Sequence, residues 1–379
     1  MPELPMGTGR DDAAIAGAIG RWFQSNARTL PWRTTPRDPW LSLMSEIMLQ
    51  QTQAARVAER FPSFVHAFPT PEAMAKRAVD DVLALWSGLG YYRRARMLHA
   101  CATAIARQHG GKLPREAAVL RDLPGVGRYT AGAVASIAFG SREPIVDGNV
   151  SRVLLRIHGV HRSADEKDVA AWAWKRAADL VDAAADPAGY SEGIMELGAT
   201  VCTPKLPACG RCPLRRRCEA LQAGMVDRIP QAKARPNRTP LAITAVVISD
   251  RHGRVLLEQR PEAGLWSGLW QPPCLEADAK RPPSRSTTLN ALGLRGVVET
   301  SGRSCTFPFA TTHREVHVRV WSALAEDPRA ILAALLAAGR PRAGWYVTNQ
   351  LDTLALGAVQ KKMLACVGVG SPANRGPIS

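Results

Sequence analysis

Four of the chain's eight cysteines, Cys202, Cys209, Cys212 and Cys218, lie in one short stretch with the spacing C-x6-C-x2-C-x5-C. In a reducing compartment, clustered thiols of this kind read as metal ligands and not as disulfides. Thiolates hold either a tetrahedral structural zinc or an iron–sulfur cluster. Zinc ribbons usually close with two short C-x2-C knuckles, whereas one short knuckle between two longer loops gives the sulfurs wider reach and favours a 4Fe-4S cluster. Lys205, Arg211, Arg215, Arg216 and Arg217 are interleaved with the ligands, so positive charge stands where a phosphate backbone could dock. The remaining cysteines, Cys101, Cys274, Cys305 and Cys366, are isolated and read as small buried residues.

Two further patterns could do chemistry. Leu123-Pro124-Gly125-Val126-Gly127 immediately precedes a helical stretch, and glycines at alternate positions let backbone N–H groups converge on a phosphate at a helix N-terminus. Such turns also serve merely to join helices. The carboxylates Glu46 and Asp147 form the other pattern. Glu46 sits one step off an apolar stripe, ahead of Gln50-Gln51-Thr52-Gln53, a run too polar for a core face. Asp147, in Val-Asp-Gly-Asn, stands at the start of a helix whose dipole favours the ionised carboxylate. Taken singly, a solvated glutamate and a plain helix cap remain open readings.

The elements that must position these residues are helical as far as residue 225. A period near 3.6 in Leu43–Phe61 and the scarcity of breakers in Ala13–Ala27 predict helices there, and Gly, Pro or Asp punctuation marks off further helical stretches over Pro71–Ser87, Arg93–His109, Tyr129–Phe139, Val150–His158, Lys167–Ala185 and Ser191–Cys202. The basic, proline-containing stretch 224–240 reads as a linker. Beyond it, LAITAVVIS, RVLLEQR, VHVRVWSAL and AGWYVTN read as strands, with a turn at Asp250–Gly253, a helix at Arg329–Ala338 and a surface loop over 276–288. The expected organisation is a helical domain over 10–223, a linker over 224–240, an α+β domain over 241–368 and a flexible tail over 369–379.

Lysine plus arginine exceed aspartate plus glutamate by 49 to 33, a net charge of +16 that points to a polyanionic partner. The 46% hydrophobic and 22% charged residues exclude a collagen, a coiled coil or a globally disordered chain. No apolar run reaches the roughly 18 residues of a membrane span, so no membrane partner is expected. The N-terminus lacks a secretory signal, and a cytoplasmic, nucleoid-associated location follows as an expectation.

Together, helix, LPGVG hairpin, helix, VDGNV and the cysteine spacing resemble the helix-hairpin-helix DNA glycosylases that carry an iron–sulfur cluster. Within that group LMSEIMLQQTQ, GLGYYRRAR, LPGVGRYTAGAVAS and VDGNVSRVL are similar to the adenine DNA glycosylases of the MutY family. LLEQRPEAGLWSGLWQPP resembles the Nudix-like C-terminal domain of that family. The implied architecture is multidomain, an all-α helix-hairpin-helix glycosylase domain with a 4Fe-4S loop followed by an α+β Nudix-like domain.

This resemblance implies hydrolysis of the N-glycosidic bond of adenine mispaired with 8-oxoguanine or guanine in double-stranded DNA. Glu46 would protonate the base at N7, and Asp147 would stabilise the oxocarbenium-like sugar. Tyr129 and Asn149 would stand beside this pair. Trp32, Arg33, Leu49 and Glu196 match the adenine pocket, while Gln51, Thr52 and Tyr91 match residues that wedge the duplex and contact the strand opposite. Leu123, Gly125, Val126 and Gly127 would hold the DNA backbone. Related enzymes that also cleave the strand have a lysine where this chain has Tyr129, which implies a monofunctional enzyme. The C-terminal domain lacks the acidic box of Nudix hydrolases and would read 8-oxoguanine through Thr312 and His313; the family commonly has an aromatic residue and a serine where Thr311 and Thr312 stand here. The family reading implies a monomer and names no protein partner. A pyrimidine-specific glycosylase and lyase of the same fold, and a non-enzymatic iron–sulfur binder, remain as alternatives.

Overall fold

The computed structural model describes residues 4–5, 9–232, 237–299 and 302–369. Part of the expected linker, and all but the first residue of the expected tail, therefore lie outside the described residues. The chain divides into two compact units. One comprises Met1–Arg77 and Met97–Ala234, the other Ala78–Arg96 and Arg235–Ser379.

The helices, in chain order, are α1 (Gly9–Asn26), α2 (Pro39–Leu49), α3 (Ala54–Ala67), α4 (Pro71–Ala75), α5 (Val79–Leu85), α6 (Arg93–Gln108), α7 (Ala117–Arg121), α8 (Arg128–Phe139), α9 (Gly148–Ile157), α10 (Lys167–Asp182), α11 (Pro187–Thr200) and α12 (Glu219–Gln222). Local chemistry sets several of their starts. Asp38, Thr70 and Asp186 accept hydrogen bonds from backbone N–H groups of the first turns of α2, α4 and α11, each with proline in that turn.

Two predicted helices are divided. The span 43–61 breaks after Leu49 because Gln51 turns left-handed at φ 54°, which releases the polar Gln50–Gln53 run from the helix. The span 71–87 breaks at Ala78, whose extended backbone (ψ 146°) separates α4 from α5. The core of the first unit joins Ile15 and Ile19 of α1 to Leu154 of α9, Leu180 of α10 and Ile194 and Leu197 of α11. Arg176 of α10, fully buried, donates to both carboxylate oxygens of Asp12 at 2.6 and 3.2 Å and so ties α1 to this core.

In the second unit the sheet comprises β1 (Thr239–Asp250), β2 (Val255–Gln259), β3 (Trp270–Gln271), β4 (Cys274–Ala277), β5 (Ser304–Ala310), β6 (Arg314–Ala325) and β7 (Ala343–Tyr346). Its central order is β3-β2-β1-β6-β5, with β4 on β1 and β7 on β2. β1 runs parallel to β6 along its whole length, and the other pairings between strands are antiparallel. The unbroken apolar run of β1 follows from burial on both faces. Ile243, Ala245 and Val247 face a core with Val359, Met363 and Leu364 of α15 (Ala358–Ala365), after α13 (Arg285–Ala291) and α14 (Pro328–Ala337). Val246 and Ile248 face Leu292 and α14's Ile331 and Leu335. The expected loop 276–288 is shortened at both ends, by β4 and by α13.

Ala78–Arg96, inside the 10–223 span expected for the helical domain, packs with the second unit. The Leu356 carbonyl accepts from the hydroxyls of Tyr92 (3.0 Å) and Ser87 (3.4 Å), and Asp80 accepts from Gln259 (3.3 Å). Cys101 and Cys274 are buried as expected. Cys305 and Cys366 are not isolated: they form a disulfide between β5 and the end of α15 that no local spacing announced, because 61 residues separate them.

Candidate active site

The first unit encloses a cavity of about 740 Å³ whose wall includes Trp32, Arg33, Glu46, Leu49, Gln51, Thr52, Tyr129, Asp147, Asn149 and Glu196. Ten of the expected site residues, scattered over 165 positions of sequence, thus face one space. Helix α2 buries Trp40, Leu43, Met44, Ile47 and Met48, and Glu46 is buried with them, only 7% exposed. A solvated glutamate is therefore not what the fold makes of it. Asp147 caps α9 and accepts from the Val150 N–H at 2.7 Å and from Asn149 Nδ2 at 3.2 Å.

Burial pushes the Glu46 carboxyl up to about 7, with Asp147 and Glu192 adding to the rise through their negative charge, against the opposing pull of a Tyr129 hydrogen bond and of Arg33. Burial also raises Asp147, while the Val150 and Asn149 N–H groups and the Arg152 guanidinium favour its charged form. The Tyr129 hydroxyl, raised by burial and by both carboxylates, donates to the Met195 sulfur at 3.1 Å. The two carboxyls thus differ in their support. Asp147 holds N–H donors suited to an anion, while Glu46 is the group that burial makes a proton donor near neutral pH.

An ionic frame closes one side of the cavity. Arg33 Nε donates to Glu192 at 3.0 Å and its Nη2 to Glu196 at 3.0 Å. Arg37 reaches Glu192 at 2.5 Å, and Arg28 grips Glu196 at 2.6 and 2.9 Å. Despite the upward push of burial, Arg28 and Arg33 hold the Glu196 carboxyl below its ordinary value. Sequence reasoning missed Glu192, which lines the same cavity. The available signal was its place four residues before Glu196, which puts both on one face of α11. Trp32 is buried and meets Phe61 edge-on at 5.6 Å.

Leu123 and Val126 turn their side chains into the protein, which leaves the hairpin's backbone as its outer surface. Val126 N–H closes the turn on Leu123 O at 3.1 Å, and Gly127 caps α8 with no side chain of its own. Gly125 has φ 77°, and a Cβ there would lie 2.5 Å from the Met97 Cβ, so glycine is required.

Cys202, Cys212 and Cys218 pack against the helical core. Burial, and after it the neighbouring Cys202, Cys218 and Cys209 sulfurs, push Cys212 up to about 11, so the four sulfurs lie within electrostatic reach of one another. Among the described residues no group of three or more His, Cys, Asp or Glu side chains is arranged to hold a metal ion. Arg156 Nη1 meets the Cys202 sulfur at 3.4 Å, and Cys218 Sγ donates to the Arg156 carbonyl at 3.3 Å. Arg152 joins the Cys202 and Gly198 carbonyls to Asn149 Oδ1, at 2.7, 2.9 and 2.8 Å.

Tyr91, Thr312 and His313 belong to the second unit. Tyr91 is half exposed with φ 47°, which is not core packing, and its hydroxyl meets that of Thr312 at 2.8 Å. Thr311 closes the β5–β6 turn by accepting from the Arg314 N–H at 2.9 Å, leaving Thr312 and His313 exposed at the tip.

Residues 44–178 match the model of the HhH-GPD superfamily of base excision DNA repair proteins, and residues 244–366 match the NUDIX domain. A human adenine DNA glycosylase is 34% identical over 74% of this chain, which spans 60% of that relative's length. An adenine DNA glycosylase of Mycolicibacterium smegmatis is 42% identical over 57% of this chain and 74% of its own length. Among solved structures a thermostable thymine-DNA glycosylase is similar at a TM-score of 0.50 and 27% identity, covering 56% of this chain and 98% of that one. With the catalytic-type carboxylates, the hairpin and the cysteine quartet all present, and with relatives this similar, the chain belongs to the adenine DNA glycosylase family.

Proposed function

We propose that the protein is a monofunctional glycosylase that hydrolyses the N-glycosidic bond of adenine opposite 8-oxoguanine or guanine in duplex DNA. The observation that carries the reading is Glu46, a carboxyl raised to about 7 in a cavity shared with the N–H-supported Asp147. Adenine leaves readily only when protonated, and a buried glutamic acid can supply that proton. Asp147 then faces the cationic sugar as a carboxylate, the division of labour that two carboxyls show in glycoside hydrolysis. Extrusion of the base into the cavity costs a few kcal/mol, least for a mispair. Trp32 and Leu49 offer apolar walls to the purine, and the Arg33, Glu192 and Glu196 frame offers polar groups to its edge. The hairpin N–H groups at Leu123–Gly127 would hold a phosphate of the DNA.

Cys202, Cys209, Cys212 and Cys218 would hold one 4Fe-4S cluster. The spacing C-x6-C-x2-C-x5-C, with one short knuckle where zinc ribbons usually have two, favours a cluster over a single zinc. The cluster would order the basic loop for DNA. Tyr129 has no amine with which to form a Schiff base, so strand cleavage is not expected. Tyr91, Thr312 and His313 would contact the base opposite adenine.

The test is single-turnover base release from a duplex with one adenine opposite 8-oxoguanine, against adenine opposite thymine, scored with and without hot alkali. Cleavage only after alkali, and only for the mispair, is the expected result. Cleavage without alkali would point to a lyase, and no release from either duplex would overturn the reading.

A further inference from the structure

Glu192 is set into the cavity wall by contacts on both sides of its helical turn. Ser191 Oγ, fully buried, lies 2.8 Å from Ser136 Oγ of α8, the helix that also carries Tyr129. On the other side Gly193 lets α11 close on α1, since a Cβ there would lie 2.8 Å from Ile19 Cγ2 and 3.1 Å from Phe23 Cβ. Between these anchors the buried Glu192 bridges two arginines, accepting at Oε1 from Arg33 Nε (3.0 Å) and at Oε2 from Arg37 Nη2 (2.5 Å). Arg33 is held on its other edges as well, by the Arg28 carbonyl at 2.9 Å and by Glu196 at 3.0 Å, with its guanidinium carbon 5.0 Å from the centre of the Phe23 ring. Arg37 also donates to the Thr34 carbonyl at 3.1 Å. The bridge is thus a fixed part of the wall and not a mobile surface pair.

The charges around the cavity decide what such a bridge does. Glu46 of α2 shares the wall with Tyr129 of α8, Asp147 at the start of α9, Glu192 and Glu196 of α11, and Arg28, Arg33 and Arg37 from the segment ahead of α2. The frame sets three guanidinium groups against two carboxylates, which leaves one net positive charge beside an acid that must be neutral to give its proton. Without the Glu192 carboxylate the excess would be two, and a neighbouring cation favours the ionised form of a carboxyl. Arg33 and Glu192 act on Glu46 in these opposite senses, Arg33 favouring its carboxylate and Glu192 its acid form. Asp147 takes its support from elsewhere, from Val150, Asn149 and Arg152. We propose that Glu192 is a positioning residue of base release, whose carboxylate clamps Arg33 and Arg37 to α11 and screens Glu46 from their positive charge. This rests on Glu46 as the acid of the function proposed above.

The test is the pH profile of adenine release under single-turnover conditions, with the full chain in saturating excess over a duplex carrying one adenine opposite 8-oxoguanine, for wild type, Glu192→Gln and Arg37→Gln. The glutamine at 192 keeps the shape of the side chain and an oxygen for the arginines but removes the charge. A single charge near a carboxyl moves its titration by about one pH unit. The alkaline limb of Glu192→Gln is therefore expected about one unit below that of wild type, so that the variant is about tenfold slower near pH 8.5 and within about twofold of wild type near pH 5.5. Arg37→Gln removes a cation from the same bridge and is expected to move the limb the opposite way. The Arg37 side chain is 22% exposed, so its variant tests the charge effect by itself should Glu192→Gln not fold. A Glu192→Gln deficit of equal size at every pH, or two variants whose limbs move in the same direction or not at all, would overturn the inference, because a purely structural defect slows release without moving the limb. A wild type that releases no adenine at any pH would instead overturn the proposed function.

Discussion

Replacing Glu46 by glutamine keeps the shape of the side chain and removes its proton, and the structure sets what should follow. General acid catalysis by a positioned group contributes roughly 10²- to 10⁴-fold, so single-turnover adenine release should fall by about that much while duplex affinity holds. In wild type the acid form of Glu46 is lost above about 7, so its rate should decline about tenfold per pH unit beyond that point. Stability supplies an independent readout. The Glu46 carboxyl rises from 4.5 in the unfolded chain to about 7 in the fold, and at 1.36 kcal/mol per pH unit this corresponds to roughly 3 kcal/mol. The folded chain keeps the proton between these values and the unfolded chain does not. Wild type therefore loses this stability as pH rises through 4.5 to 7, and the glutamine variant does not. Urea denaturation of both proteins at pH 5 and pH 8.5 measures the difference. Parallel stability profiles would refute the burial argument, and a variant that retained more than a tenth of the rate would refute the role of Glu46 as acid.

Other parts of the molecule make equally direct predictions. Glu192→Ala leaves Arg33 with the carboxylate of Glu196 alone and takes from Arg37 its carboxylate partner, so it should destabilise the protein by about 1–3 kcal/mol, read as a lower denaturant midpoint; an unchanged midpoint would mean that the frame contributes little. Gly125→Ala forces a Cβ to within 2.5 Å of Met97 at a left-handed position, so duplex affinity should drop sharply in an anisotropy titration even where the protein remains folded. Reducing the Cys305–Cys366 bond opens a loop of 61 residues and should cost the second unit up to about 4 kcal/mol, seen as a lower melting temperature in reductant that the Cys305→Ser variant shows without it.

Much of the site was legible because its signals are local. Asp147 caps α9 through the N–H three residues on, so the VDGNV run contains its own geometry. The hairpin is readable for the same reason: its turn closes within the run, Val126 N–H on Leu123 O. The alternation and apolar runs of the strands, and the Asp250–Gly253 turn, likewise follow from short-range sterics and burial on two faces.

What the sequence determined by itself is therefore the set of parts: the cysteine spacing, the cap, the hairpin, the helices and the strands, all decided by interactions between residues a few positions apart. The tertiary structure decided how those parts behave. Glu46 becomes an acid near neutral pH only because distant helices exclude water from it, and Glu192 becomes part of the cavity through Arg33 and Arg37, which are 159 and 155 residues away. The break of the 43–61 helix at Gln51, the attachment of Ala78–Arg96 to the second unit, and the pairing of Cys305 with Cys366 belong to the same class. Desolvation and long-range pairing depend on which surfaces meet when the chain closes, and no short window of residues carries that information.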